Sequence, residues 1–101
     1  MAQVVWTKLA FADLDAIYDY IAKESPFYAQ KTVEGLISRV EFLTSFPEAG
    51  RQVPEYMRKE IREVIEGNYR IFYKLGKEDV FIIRVHHAAR NIKGRRKRTI
   101  L

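Results

Sequence analysis

Between residues 61 and 90, in the run IREVIEGNYRIFYKLGKEDVFIIRVHHAAR, six side chains could do chemistry together: Arg62, Arg70, Arg84, His86, His87 and Arg90. An arginine presents a rigid fork of donors that matches a phosphate or a carboxylate. A histidine near its ordinary pKa of ~6.5 can take or give a proton when a 2′-hydroxyl attacks a phosphodiester. A base, an acid and positive charge converging on one phosphate are what a small ribonuclease requires. Arg70, His86 and Arg62 are the candidates for those duties. A metal centre is not expected, because the chain has no cysteine and no third ligand lies at a suggestive spacing from the two histidines. No cofactor is expected either.

Three β-rich stretches must position these groups. Residues 59–66, 69–75 and 80–87 alternate as strands, joined by the short turns Glu66-Gly67-Asn68 and Gly76-Lys77-Glu78-Asp79, which predicts an antiparallel meander. In the central strand Tyr69, Ile71 and Tyr73 share one face, and Arg70, Phe72 and Lys74 the other. In the last strand Phe81, Ile83 and Val85 fall on one side, with Val80, Ile82, Arg84 and His86 opposite. Taking the all-apolar sets as core, the reading leaves an open face of Phe72, Val80 and Ile82 mixed with Arg70, Arg84 and His86. Such a face, together with the flank of the helical hairpin, suits an acidic amphipathic segment of a protein partner that folds on docking. The strand at 59–66 fits less well, since Arg62 outward turns Glu63 inward, and a bulge there would reconcile the two.

Ahead of the meander, Val4, Val5 and Trp6 read as a short opening strand, and Thr7 as the cap of a helix whose apolar stripe is Ala10, Leu14, Ile17, Tyr18 and Ile21. Asp13, Asp15 and Asp19 lie mostly off that stripe. Ser25-Pro26 ends the first helix and starts a second. The second carries Ala29, Val33, Leu36, Val40 and Leu43 and ends near Phe46-Pro47. Residues 47–57, with two prolines and a glycine, read as loop. Each helical stripe is too wide for its partner alone, so the antiparallel hairpin must lie on a sheet. The expected fold is α+β, of order β-α-α-β-β-β, with the opening strand joining one of the later ones.

At 101 residues there is room for a single domain, 1–101. Of the net charge of +5, the stretch RNIKGRRKR at residues 90–98 carries six positive charges and no negative one. That basic tail, 91–101, admits a nucleic acid or an acidic protein surface as partner, and an ordinary solvated tail reads the same way. No signal peptide and no run of ~20 apolar residues is present, and with no cysteine the chain is expected in the cytoplasm, away from membranes.

From VVWT, through GNYRIFY, to VHHAAR, the chain resembles the ParE/RelE superfamily of bacterial type II toxins. The resemblance implies a toxin held inactive by a bound protein antitoxin, in a hetero-oligomer. In RNase members an arginine in the position of Arg70 is proposed to hold the scissile phosphate, and some use a histidine near the position of His86. Members without nuclease activity carry the same arginine, so Arg70 could instead pair with Glu63 or a partner's carboxylate. That structural role is preferred, as is a half-exposed His86 with His87 against the helices. Arg51 matches a recurring arginine that could anchor its loop through carbonyls or Glu55. Departures from the RNase pattern are the acidic strand Glu60, Glu63 and Glu66, which would repel RNA, and the lack of a tyrosine after Tyr73. The VxHxxR ending instead resembles ParE-like and unassigned "plasmid stabilisation" members, and ParE-like toxins act on DNA gyrase rather than cutting RNA. Growth inhibition through gyrase is therefore expected, with Arg90, Arg95, Arg96, Lys97 and Arg98 engaging the target. Cleavage of ribosome-bound mRNA is the alternative, and a non-toxic nucleic-acid-binding module the second alternative.

Overall fold

In the computed structural model, which describes residues 2–89, strand β1 (Gln3–Trp6) is followed by helices α1 (Lys8–Ala22) and α2 (Pro26–Ser45). A two-residue strand β2 (Arg51–Gln52) and the meander β3 (Ile61–Glu66), β4 (Tyr69–Leu75) and β5 (Asp79–His87) complete the elements of the described residues. Local chemistry sets the helix boundaries. Thr7 Oγ1 accepts from Ala10 N at 3.2 Å, and Ser25 Oγ from Tyr28 N at 3.1 Å, with Pro26 in the first turn where its missing N–H is no loss. Ala10 and Leu14 of α1, and Leu36, Val40 and Leu43 of α2, are buried on the sheet.

The five strands lie in the order β1-β5-β4-β3-β2. The meander is antiparallel throughout, and Gly67, at φ 58°, makes the tight turn from β3 to β4 that a side chain would strain. β1 joins β5 in parallel, Gln3 opposite Asp79 through Trp6 opposite Ile82, so the sheet is mixed. Residues 51–52, expected as loop, pair with Arg62 and Glu63 and form an edge strand.

One irregularity changes which residues face the helices. Phe72 pairs with Arg84 but Tyr73 pairs with Ile82, so Ile83 is an extra residue in β5, a β-bulge. Ahead of it, Val80 and Ile82 point to the helices beside Leu75 and Tyr73; beyond it, Val85 does so beside Ile71. The expectation that Phe81, Ile83 and Val85 share the core side is corrected for the first two. Val80 and Ile82 are not on an open face but fully buried under the helical hairpin. The bulge that sequence alternation suggested in the strand at 59–66 lies in β5 instead.

Phe72 does face away from the helices, yet it is also fully buried. The loop at residues 53–60 crosses that side of the sheet and packs Val53 and Tyr56 onto Phe72 and Ile61, a second small core. Full burial of such side chains stabilises by about 1.5–3 kcal/mol each and offsets part of the entropy lost on ordering the loop. The outer sheet face is thus roofed over.

Tyr73 ties the roof's base to the sheet. Its buried hydroxyl donates to Pro47 O at 2.7 Å and accepts from Gly50 N at 2.8 Å. A Cβ at position 50 would lie 2.6 Å from Glu63 O and from Tyr73 Oη. Gly50→Ala is expected to destabilise by about 1–3 kcal/mol through overpacking. Tyr73→Phe should cost about 1–3 kcal/mol by stranding a buried amide and carbonyl. Chemical denaturation of each variant with an unchanged m value checks both.

Candidate functional site

Arg70 sits on the outer face of β4, and its side chain is 10% exposed. Its Nε donates to Glu63 Oε1 at 2.6 Å. The fork, Nη1 and Nη2, donates to the two oxygens of Glu55 at 3.2 and 3.1 Å. Glu63, whose side chain is completely buried, also accepts from Arg51 Nε at 2.7 Å, and the Arg70 guanidinium lies 4.8 Å over the Phe72 ring. Burial works against the Arg70 charge, but the two carboxylates outweigh it and hold its pKa above the ordinary arginine value. The Arg70 hydrogen bond in turn lowers the Glu55 pKa, against the opposing effect of burial. Pairing with Glu63 is the structural role anticipated for Arg70. Arg51 reaches Glu63 rather than Glu55.

The other candidates divide between two faces and an edge. Arg62 pairs across with Tyr73, on the helix side of β3, where Nη1 donates to Gly50 O at 2.9 Å and Glu48 O at 3.3 Å. It therefore does not converge with Arg70 on one phosphate. His86 does share the outer face, directly opposite Arg70 in the register and 5.6 Å from Phe72, ring to ring. It is buried, whereas His87 is exposed beside Tyr69, 5.4 Å between ring centroids. That reverses the expected burial of the two histidines. β1 ends opposite Ile82 and gives the last residues of β5 no strand on that side.

Arg84 is held by an acid that periodicity placed off the packed stripe. Its Nε and Nη2 donate to Asp13 Oδ2 and Oδ1 at 2.9 and 3.1 Å, and Val85 N donates to Asp13 Oδ2 at 2.9 Å. The Asp13 hydrogen bond is the leading reason the Arg84 pKa is raised. Nothing in the spacing of α1 flags Asp13, because its task depends on β1 stopping at Trp6 and leaving Val85 without a strand partner on that side. Among the described residues, no three His, Cys, Asp or Glu side chains converge on a metal position. No described helix is long and apolar enough to cross a membrane. Arg90, Arg95, Arg96, Lys97 and Arg98 lie outside the described residues.

Two depressions flank the helices. A groove of about 310 Å³, mostly apolar, is lined by Trp6, Phe11, Leu14, Tyr18, Val33 and Ile37. A slot of about 460 Å³ runs between α1 and the end of β5, lined by residues that include Ala16, Ile17, Tyr20, Tyr69 and His87.

Breaking the ion network should be asymmetric. Glu63→Ala leaves the buried Arg70 half-compensated and is expected to cost about 3–5 kcal/mol. Arg51→Ala, whose side chain is 65% exposed, should cost under about 1 kcal/mol. Because the folded Glu55 pKa lies below its unfolded value of 4.5, its contribution is fully present above that pH and is lost as pH falls through the folded value. Urea titrations across acid pH should show the loss in the parent chain and a shallower one in Glu55→Gln.

With the fold and these contacts in hand, residues 4–92 match the family model for the ParE toxin of the type II toxin–antitoxin system parDE. The chain is 42% identical over 90 residues to Toxin RelE2 of Caulobacter vibrioides, covering 89% of this chain and 99% of the relative. A solved structure of the chromosomal ParDE system of P. aeruginosa is similar with a TM-score of 0.72 and 27% identity, over 86% of this chain and 96% of that one. The toxin–antitoxin complex RelBE2 of Mycobacterium tuberculosis shares the fold, with a TM-score of 0.62 at 21% identity, over 85% of this chain and 96% of that one. The helical hairpin laid on a mixed sheet, the buried Arg70 and the match along nearly the whole length belong together: the chain is a member of the ParE toxin family, within the ParE/RelE superfamily of type II toxin–antitoxin systems.

Proposed function

We propose that this toxin is neutralised by a protein antitoxin and acts by obstructing DNA gyrase, with no bond-making step of its own. The observation that carries the reading is the state of Arg70. The Nε edge and the Nη1/Nη2 fork of its guanidinium are taken by carboxylates of the same chain, and the other arginine candidate for the phosphate, Arg62, is bonded to carbonyls on the opposite side of β3. A phosphate arriving at Arg70 would meet the full charges of Glu55 and Glu63, which disfavour it. Binding to a target rather than cutting one then falls to exposed surface, and the basic run at 90–98 is the strongest charge the chain offers. Antitoxin docking is assigned to the hairpin flank, where Phe11, Tyr20, Phe27 and Tyr28 are exposed. Arg84 and Arg70 remain structural in this reading.

A second reading, ribosome-dependent mRNA cleavage, draws on one contact: Arg70 and His86 are cross-strand neighbours on one face. The two are separated by assaying gyrase supercoiling and cleavage of translating mRNA with the same purified toxin. Supercoiling should fall, His86→Ala should leave that inhibition within about three-fold of the parent, and replacing Arg95, Arg96, Lys97 and Arg98 with glutamine should weaken it by about ten-fold or more. Codon-positioned cuts lost in His86→Ala, with supercoiling untouched, would establish the ribonuclease instead. Expression that is harmless with or without the neighbouring small reading frame would remove the toxin reading altogether.

A further inference from the structure

Helix α2, 20 residues and about 30 Å long, is buried along one face only, at Ala29, Leu36, Val40 and Leu43. A second set of residues recurs at spacings of three and four on another flank: Tyr28, Lys31, Gly35, Ser38, Phe42 and Phe46. A Cβ at Gly35 would lie 3.4 Å from Glu66 Oε2, so this flank is the one on the β3 side. Its aromatic rings are left to water. Tyr28 is 65% exposed and Phe46 55%, and Phe42 is 41% exposed although it stacks on Phe46 at 4.8 Å between centroids. Neither Phe42 nor Phe46 has a part in the site or the docking surface described above.

Charge and size along the flank say what would cover these rings. Lys31, Glu34, Arg39 and Glu41 balance one another, so an acidic segment gains little here. Among the described residues none of the four forms an ion pair. Lys31 Nζ lies 5.6 Å over the Phe27 ring instead, and the Arg39 guanidinium 5.0 Å over Phe42. The series is its own complement when turned end for end. An identical helix laid antiparallel, its midpoint beside Leu36 and Ile37, sets Lys31 against Glu41 and Phe42, and Tyr28 against Phe46. Two-fold symmetry makes each of these contacts twice. The residues that face each other at the centre are Gly35 and Ser38, small enough for the two axes to approach to about 8 Å.

We propose that this flank of α2 pairs with the same flank of a second copy of the chain, antiparallel about a two-fold axis beside Leu36 and Ile37. Aromatic burial at the two ends gives the affinity, and the Lys31–Glu41 pairs fix the direction and register of the helices. One helix pair is a small interface, so dissociation at roughly 10–100 μM is expected. Tyr28 also belongs to the surface assigned above to the antitoxin, so the paired and antitoxin-bound states compete for it. The pairing itself depends on neither the gyrase reading nor the antitoxin.

The test is sedimentation of the full-length chain over about 1–300 μM, where the dimer fraction should rise with concentration. Lys31→Glu and Glu41→Lys, both at exposed positions, should each weaken pairing about ten-fold. Combining them should restore it to within about three-fold of the parent, because both contacts are remade with the signs exchanged. Within one chain the two residues stand about 15 Å apart along the helix, so separate structural roles could not give that rescue. The chain has no cysteine, and Ser38→Cys therefore places one thiol beside the axis. Oxidation should link it into a covalent dimer, while Asp19→Cys on α1 should stay single. A monomer at every concentration overturns the proposal. So does self-association that ignores both charge reversals, which would put the contact on another surface. Reversals that simply add, with no rescue, overturn it as well. A monomeric parent in which Lys31→Glu releases a co-expressed antitoxin would give the flank to the antitoxin instead. The sedimentation and cross-linking outcomes are read without any toxicity assay, so their failure is distinct from a failure of the toxin reading.

Discussion

A single buried carboxylate organises the side of the sheet that faces away from the helices. Glu63 lies on β3 with no solvent to serve it and receives Arg70 from β4 and Arg51 from β2. Through Arg70 it is linked to Glu55, and so to the loop that roofs the sheet. The net stability of such a buried network is small, because desolvation nearly cancels the attraction. Its effect is on position. Burial of Val53 and Tyr56 on Phe72 and Ile61 contributes holding energy to the loop, and the ion network restricts where along the sheet the loop can settle. An unpaired charge left behind by any misplacement would cost far more than the network gains.

The second constraint is the extra residue at Ile83. Without it, strict alternation would carry Val80 and Ile82 to the same side as Arg84 and His86. With it, the apolar pair enters the core while Arg84 and His86 stay on the outer face beside Phe72 and Arg70. The bulge falls where β1 ends and Thr7 begins the turn into α1, with the Thr7 hydroxyl both capping that helix and bonding Ile82 O. Strand exchange, helix start and change of phase occur at one point of the chain.

These two features decide what surface is left for function. The outer sheet face, which a strand pattern alone leaves open and basic, is filled by the chain's own loop and its acids. Exposed apolar area is displaced to the helical hairpin, and exposed backbone to the last residues of β5. Asp13 covers one amide of that edge and neutralises Arg84, so the slot beside α1 presents main-chain groups, aromatic rings and imidazoles rather than a strong charge. A protein partner fits such a surface more readily than a polyanion does.

The sequence by itself determined both helices, the opening strand and the three strands of the meander, in their order, though not the short edge strand at residues 51–52. The Thr7 and Ser25 caps, Pro26, the apolar stripes on both helices and the turn at Gly67 are local signals, and local energetics alone set the boundaries they mark. It also carried the inward set of β4, since Tyr69, Ile71 and Tyr73 alternate without interruption, and the pairing of Arg70 with Glu63. What only the tertiary structure decided are matters of register between distant segments. Whether β1 runs beside β5 or another strand, where the extra residue of the meander falls, which face Arg62 takes, and that Asp13 meets Val85 across 72 residues depend on pairings that no local spacing encodes. The roof over Phe72 was hidden for the same reason. A proline-containing loop of mixed composition shows its two buried anchors, Val53 and Tyr56, only once there is a sheet beneath them to bury against.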